Sequence, residues 1–200
     1  MAVKFQYNKT SLQGLEKNLK IRVRALPTIK SKESALRVEV KKAKSDVQLL
    51  DDKFEQLIKA NEEMMVLYGE YDPSLLEVSD VLVEQQKIAG VKIPVFKGVD
   101  FDQQPFSLFN SPSWLPGGIV KIRELAAVAL EREFYFHKVA LLEYARKKTT
   151  QKVNLFEKVQ IPGFEDAIRK IKRFLEDEEN LSKAAQKIVK SRQEETEEPV

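Results

Sequence analysis

Apolar residues alternate by threes and fours along the first third of the chain. Leu12, Leu19, Leu26, Val40, Val47 and Phe54 fall on one heptad column, interrupted by Glu33, and Leu15, Ile29, Leu36, Ala43, Leu50 and Leu57 fall on the other, interrupted by Arg22. A stripe this narrow is the seam of a coiled coil, not the broad apolar face of a helix lying on a globular core. At 1.5 Å per residue, a helix over residues 11–67 would be roughly 85 Å long. A chain of 200 residues has no globular core large enough to cover it, so it needs a second helix of comparable length.

That second helix follows the segment PSWLPGG and runs over residues 119–192. Ile122, Leu125, Ala129, Phe136 and Val139 begin a seam that Arg132 interrupts. After a shift near Ala140 it continues through Leu141, Tyr144, Leu155 and Val159, then Ile161, Phe164, Ile168, Ile171 and Leu175. Register slips of this kind are stutters. Pro162 and Gly163 stand inside the most regular part of the pattern, where a proline removes a hydrogen bond and kinks the axis.

Residues 68–118 differ in character and hold most of the glycine and proline. Ser74 and Asp80 suit the starts of short helical segments, and VKIPVF reads as a strand or hairpin arm, with Pro94 favouring an edge. Trp114, Phe101, Phe106 and Phe109 are candidates for the core of this small head. The predicted fold is mainly α: a long antiparallel two-helix coiled coil with a small mixed head, including a possible β-hairpin, inserted between the helices. The predicted divisions are helix 1–67, head 68–118, helix 119–192 and an acidic, disordered tail 193–200. Equal rise in antiparallel helices pairs residues whose numbers add to roughly 185. Pro27 then faces the neighbourhood of Pro162 and Gly163, and these three residues are the expected bend.

Charge adds a gradient. Residues 4–44 carry 12 basic and 3 acidic side chains, residues 45–113 carry 5 and 13, and residues 146–192 carry 13 and 7. Both ends of the chain are therefore basic and the middle is acidic. Cysteine is absent, which excludes disulfides and thiolate metal sites. No apolar run approaches the ~20 residues of a membrane span, so direct membrane insertion is not expected. Phosphate-loop, serine-elbow and zinc-helix motifs are missing. His137 stands alone in a charged helix, the carboxylate runs suit solvated faces, and no catalytic, cofactor-binding or metal-binding residue is expected. A nucleic-acid-binding coiled coil would suit the basic ends, yet no aromatic residues are interleaved with them for bases to stack on. A coiled-coil scaffold is the other bland alternative.

Three stretches carry a family resemblance. KVNLFEKVQIPGFEDAIRKIKRFLEDEE resembles a motif of the D subunit of V-type and A-type ATPases, with Lys152, Val153, Asn154, Glu157, Ile161, Pro162, Ile168 and Ile171 in place. Leu155-Phe156 replaces the usual Ala-Leu, Phe164 a Leu and Ala167 a Thr. NKTSLQGLEKNLKIRVRALPTIKSKESAL is similar to the family's opening helix, although Pro27 is unusual there, and QQKIAGVKIPVF to a central stretch. The resemblance implies a non-catalytic central rotor shaft on the cytoplasmic side of a membrane. Its terminal ends would lie inside a hexamer of catalytic A and non-catalytic B subunits. The head would bind the small F subunit and a funnel-like subunit seated on the membrane ring. In that picture Lys20, Arg24, Arg169, Lys170, Lys172 and Arg173 are expected to form a bearing against the hexamer. Val91, Ile93, Val95, Phe96 and Phe106 are expected to divide between head core and contact with the F subunit.

Overall fold

A computed structural model describes residues 3–197, and side chains through residue 193. Helix α1 spans Lys9–Ala60, α2 is a single turn at Glu62–Met65, and two 3-10 turns follow at Leu67–Glu70 and Pro73–Leu75. Strands β1 (Leu76–Ile88) and β2 (Val91–Gln103) form an antiparallel pair. Helix α3 (Leu115–Asn154) passes through a π-helical turn (Leu155–Gln160) into α4 (Ile161–Glu197). Residues 193–197, expected to begin a disordered tail, instead continue α4; residues 198–200 lie outside the described residues.

The chain divides into two compact units, Met1–Ser31 with Thr149–Val200, and Lys32–Lys148. In the first, Leu15, Phe164, Ala167, Ile168 and Ile171 are buried together, with Leu12, Leu19 and Leu175 half-buried around them. In the second, Leu36, Val40 and Ala43 of α1 meet Leu142 of α3 and Ile93 of β2. Across the first unit Lys172 pairs with Glu16 at 2.8 Å, Arg22 Nε donates to Gln160 at 2.7 Å and Lys30 pairs with Glu157 at 2.7 Å. Across the second, Lys44 pairs with Glu143 at 2.6 Å and Arg132 with Asp51. The numbers of each pair add to within about three of the 185 set by equal rise in antiparallel helices.

Arg22 and Arg132, the two arginines that stand on the seam columns read from the sequence, lie against aromatic faces. The Arg22 guanidinium lies 4.6 Å from the Phe164 ring centroid, and that of Arg132 lies 5.0 Å from Phe136 and 5.7 Å from Phe54. A guanidinium is weakly hydrated and stacks on rings, so it occupies a seam position that a lysine would leave.

The seam of α3 differs from the expected one. Leu141, Tyr144, Leu155 and Val159 are exposed, whereas Leu142 is fully buried. Tyr135, Thr149 and Phe156 are half-buried on the column of Val128 and Leu142, and Val139, Arg146, Val153 and Gln160 are half-buried on the other. This register holds through Gln160 with no shift at Ala140. The irregularity comes at the π turn, where the Ile161 N–H reaches back five residues to the Phe156 carbonyl. The extra residue per turn opens the ladder just before Pro162, whose ring would otherwise press on the Lys158 carbonyl. Pro162 and Gly163 thereby fall in the first turn of α4, where a missing N–H costs little. Pro162→Ala is expected to stabilise the chain by no more than about 1 kcal/mol, against the ~3 kcal/mol of an interior helical proline. Urea unfolding measures the difference, and a gain near the full value would mean that the π turn does not relieve the proline.

Helix α1 starts at Asn8, whose Oδ1 accepts the Ser11 N–H at 2.7 Å as an N-cap. It ends at buried Asn61, whose amide donates to the Leu57 carbonyl. The hairpin turns on Ala89 (φ 47°) and Gly90 (φ 80°), the two positive angles a type I′ turn requires. Asp80, expected to start a helical segment, lies in β1 beside Ser79, an extra residue that bulges the strand and donates its hydroxyl to the Asp100 carbonyl. Helix α3 begins at Leu115, so Gly117 and Gly118 belong to its first turn. The Trp114 ring lies against Gly118 and beside Tyr68, and a Cβ there would sit 2.8 Å from that ring.

Candidate partner-binding surfaces

Among the described residues no cluster of His, Asp and Glu could hold a metal ion, and no helix is long and apolar enough to cross a membrane. His137 is exposed and stands 3.5 Å from Glu133 one turn away.

The six basic residues proposed from sequence as a bearing are all exposed on the first unit. Lys20, Arg24 and Lys172 line one shallow groove with Leu19, Val23 and Ile168. Arg169, Lys172 and Arg173 line a neighbouring one with Leu19, Glu165 and Glu176. Lys172 is paired with Glu16, and Asp166 takes both Arg169 and Lys170 at 3.0 and 2.9 Å. No such ion pair occupies Lys20, Arg24 or Arg173 among the described residues. Pro27 is inside α1 and Pro162 follows the π turn. The Arg22–Gln160 and Lys30–Glu157 contacts lie on either side of Pro27, opposite the π turn that precedes Pro162.

Exposed ion pairs hold several carboxyls below their ordinary range. The Lys44 ammonium, hydrogen-bonded to Glu143, lowers that group, Lys170 lowers Asp166, Lys97 lowers Glu84 and Lys183 lowers Glu179. A lowered folded pKa contributes stability above the unfolded value and loses it as pH falls through the folded one. The helical melting temperature is therefore expected to hold steady from neutrality down to about pH 5 and to fall below about pH 4.5. The same contacts raise Lys97 and Lys170, so their contribution is complete below the ordinary lysine value of 10.5 and fades only above it. Circular dichroism melts across pH test both limbs, and a melting temperature that dropped between pH 7 and 5 would point to a different group.

The hairpin residues divide in a way the sequence did not show. Ile93 is fully buried and Val91 half-buried against Leu36, Val40, Ala43 and Leu142, so both pack on the long helices and not in a separate head core. Phe96 meets Phe134 at 5.7 Å, and Val95 and Phe106 are half-buried. Exposed apolar groups lie instead on β1, at Val78, Leu82 and Val83. A second exposed set, Met65, Val66, Leu108 and Phe109, lies in the segments on either side of the hairpin; Phe109, expected in the core, is fully exposed. A third is on α4, where Leu181, Ile188 and Val189 are exposed beyond the part of the helix that α1 accompanies.

The family model for the D subunit of ATP synthase matches residues 11–191, which takes in both long helices and the hairpin. This chain belongs to that family. Among similar proteins, the V-type ATP synthase D subunit of Borreliella burgdorferi is 29% identical over 190 residues, 94% of each chain. That of Chlamydia abortus is 29% identical over 181 residues, covering 86% of this chain and 87% of the relative, and that of Chlamydia trachomatis serovar L2 is 26% identical over 200 residues, 96% and 97%. The motif residues that carry the resemblance fall where the fold needs them: Ile168 and Ile171 in the buried cluster, Pro162 just past the π turn and Val153 on the seam. The roles of Arg22, Gln160 and the apolar end of α4 are not marked by any motif in the sequence. For Arg22 the signal was present, as a charge standing on a seam column.

Proposed function

We propose that this chain is the central-stalk rotor subunit of a V-type or A-type ATPase, coupling ATP hydrolysis or synthesis in a surrounding A/B hexamer to rotation and to H+ or Na+ transport. The observation that carries this reading is the family match over both helices and the hairpin. ATP is bound and turned over by the surrounding subunits, and the shaft acts on them by the face it presents. In such a complex the chain is peripheral, on the cytoplasmic side of the membrane.

The first unit is the end assigned to the hexamer bore. Its exposed cations form weak contacts of about 0–1 kcal/mol each, which suits a surface that must turn against its neighbour. The unaccompanied end of α4, with Leu181, Ile188 and Val189 bare, is the part most in need of a surrounding wall. A bend at Pro27, Pro162 and Gly163 would give each catalytic interface a different face. Joints that transmit torque need apolar grip. The small F subunit is assigned to the β1 side of the hairpin, by strand addition at its free edge and contact with Val78, Leu82 and Val83. The funnel-like subunit is assigned to Met65, Val66, Leu108 and Phe109. No observation favours the scaffold or nucleic-acid readings.

Co-expression with A, B and F subunits, size-exclusion chromatography and ATPase assay test the assignment. Co-elution at one copy per hexamer, with activity changed by its presence, is the expected result. A chain that joined neither the hexamer nor the F subunit would overturn it.

A further inference from the structure

Residues 3–8 double back along the first unit. Val3 and Phe5 lie on the cluster of Leu15, Phe164, Ala167, Ile168 and Ile171, and Tyr7 meets Phe174 with tilted rings at 4.8 Å and Phe5 edge-on at 5.4 Å. Val3 thus lies near Gly163 while Tyr7 lies near Phe174, so this segment runs back along α4. The reversal is fixed at Asn8: its Oδ1 accepts from Ser11, the Ser11 hydroxyl accepts the Gln6 N–H at 3.2 Å, and the Asn8 N–H donates to the Gln6 carbonyl at 2.9 Å.

Gly163 is the seat. A Cβ there would come 3.3 Å from the Val3 Cγ2, tighter than an ordinary contact, so the bare backbone lets Val3 close in. The seat adjoins the weakest stretch of the helix, where π bonding gives way to Pro162 and Gly163 offers no side chain of its own to cover the backbone. Among the described residues the segment's backbone-to-backbone bonds stay within its own turn, so side-chain contact alone holds it down. A segment attached by a few half-buried side chains opens far more easily than the helices beneath it.

We propose that residues 3–7 are a releasable clasp: seated on Gly163, they hold the π turn and the Pro162 segment closed, and released, they let that stretch open. The stiffness of this end of the helix pair is then set by the clasp. The proposal concerns the isolated chain and does not depend on the rotor reading.

The absence of native cysteine makes a direct test available. The γ position of residue 3, where a cysteine sulfur would stand, lies 3.3 Å from the site of a Cβ on residue 163, close enough for the two sulfurs to meet. Val3→Cys with Gly163→Cys in the full chain is expected to crosslink under mild oxidation. The oxidised form should slow amide exchange over residues 155–166 about tenfold relative to the reduced form. Conversely, Val3→Ala with Phe5→Ala in the otherwise native chain should speed exchange there about tenfold and leave residues 32–148 unchanged. Failure to crosslink, a crosslink without slower exchange, no effect of the alanine pair, or an equal effect in both units would each overturn the clasp.

Discussion

Leu142→Ala is expected to destabilise the second unit by about 3 kcal/mol, within the 2–5 kcal/mol seen when a fully buried leucine leaves a cavity. Leu142 is wholly enclosed where α1, α3 and β2 meet, against Leu36, Val40, Ala43 and Ile93. None of these neighbours can collapse into the void without dragging a helix or the hairpin with it. Leu141→Ala, one residue away and 44% exposed, should change stability by less than about 0.5 kcal/mol. Urea unfolding followed by helical circular dichroism measures both. Equal costs would place the seam between the two columns and refute the register described for α3. Because Leu142 also carries the buried face of β2, its removal should speed amide exchange in the hairpin before the helices melt.

The triple change Leu181→Ser, Ile188→Ser, Val189→Ser addresses the rotor assignment. These side chains are exposed, so the unfolding curve of the isolated chain should shift by no more than helix propensity dictates, a few tenths of a kcal/mol per residue. Inside a bore their apolar surface would be covered, at about 1.5–3 kcal/mol for each side chain fully buried. Even partial cover makes the loss at least tenfold in affinity for the A/B hexamer, since about 1.4 kcal/mol is a factor of ten. Titration of labelled chain against purified hexamer reads it. Unchanged affinity would mean that this end of α4 is not enclosed, and the end-to-end placement of the shaft would have to be reversed.

What was legible in the sequence followed periodicity. The two columns of α1 are buried or half-buried throughout, because a helix that buries one narrow stripe must write it every three or four positions. The α3 column is not legible because Leu141 and Tyr144 are apolar but exposed, while the seam carries Arg132, Arg146 and Thr149. A residue's hydrophobicity does not reveal which neighbour satisfies a seam cation. Only the VKIPVF arm of the hairpin was visible. Its partner β1 is exposed over most of its length and interleaved with Glu77, Asp80 and Glu84, so no buried alternation exists to betray it. The π turn left no pattern of its own, since it shows as a change of bonding partner and not of residue type. Of the surfaces, the motif around Pro162 was readable as a family signature. The commitment of Val91 and Ile93 to the long helices was not, because apolar character alone does not say which of two apolar surfaces a side chain will choose.

The spacing of cross-helix partners has a kinetic side. The β1–β2 ladder closes through a two-residue turn, Asp51 and Arg132 are 81 residues apart, Lys30 and Glu157 are 127 apart, and Arg22 and Gln160 are 138 apart. Each contact made near the hairpin shortens the free loop that the next one must close, so closure entropy orders assembly as a zipper running from the hairpin towards the chain ends. Pairing at the ends is then the last step to form and the first to be lost, so a nascent or mechanically loaded molecule would keep its middle while its tips part.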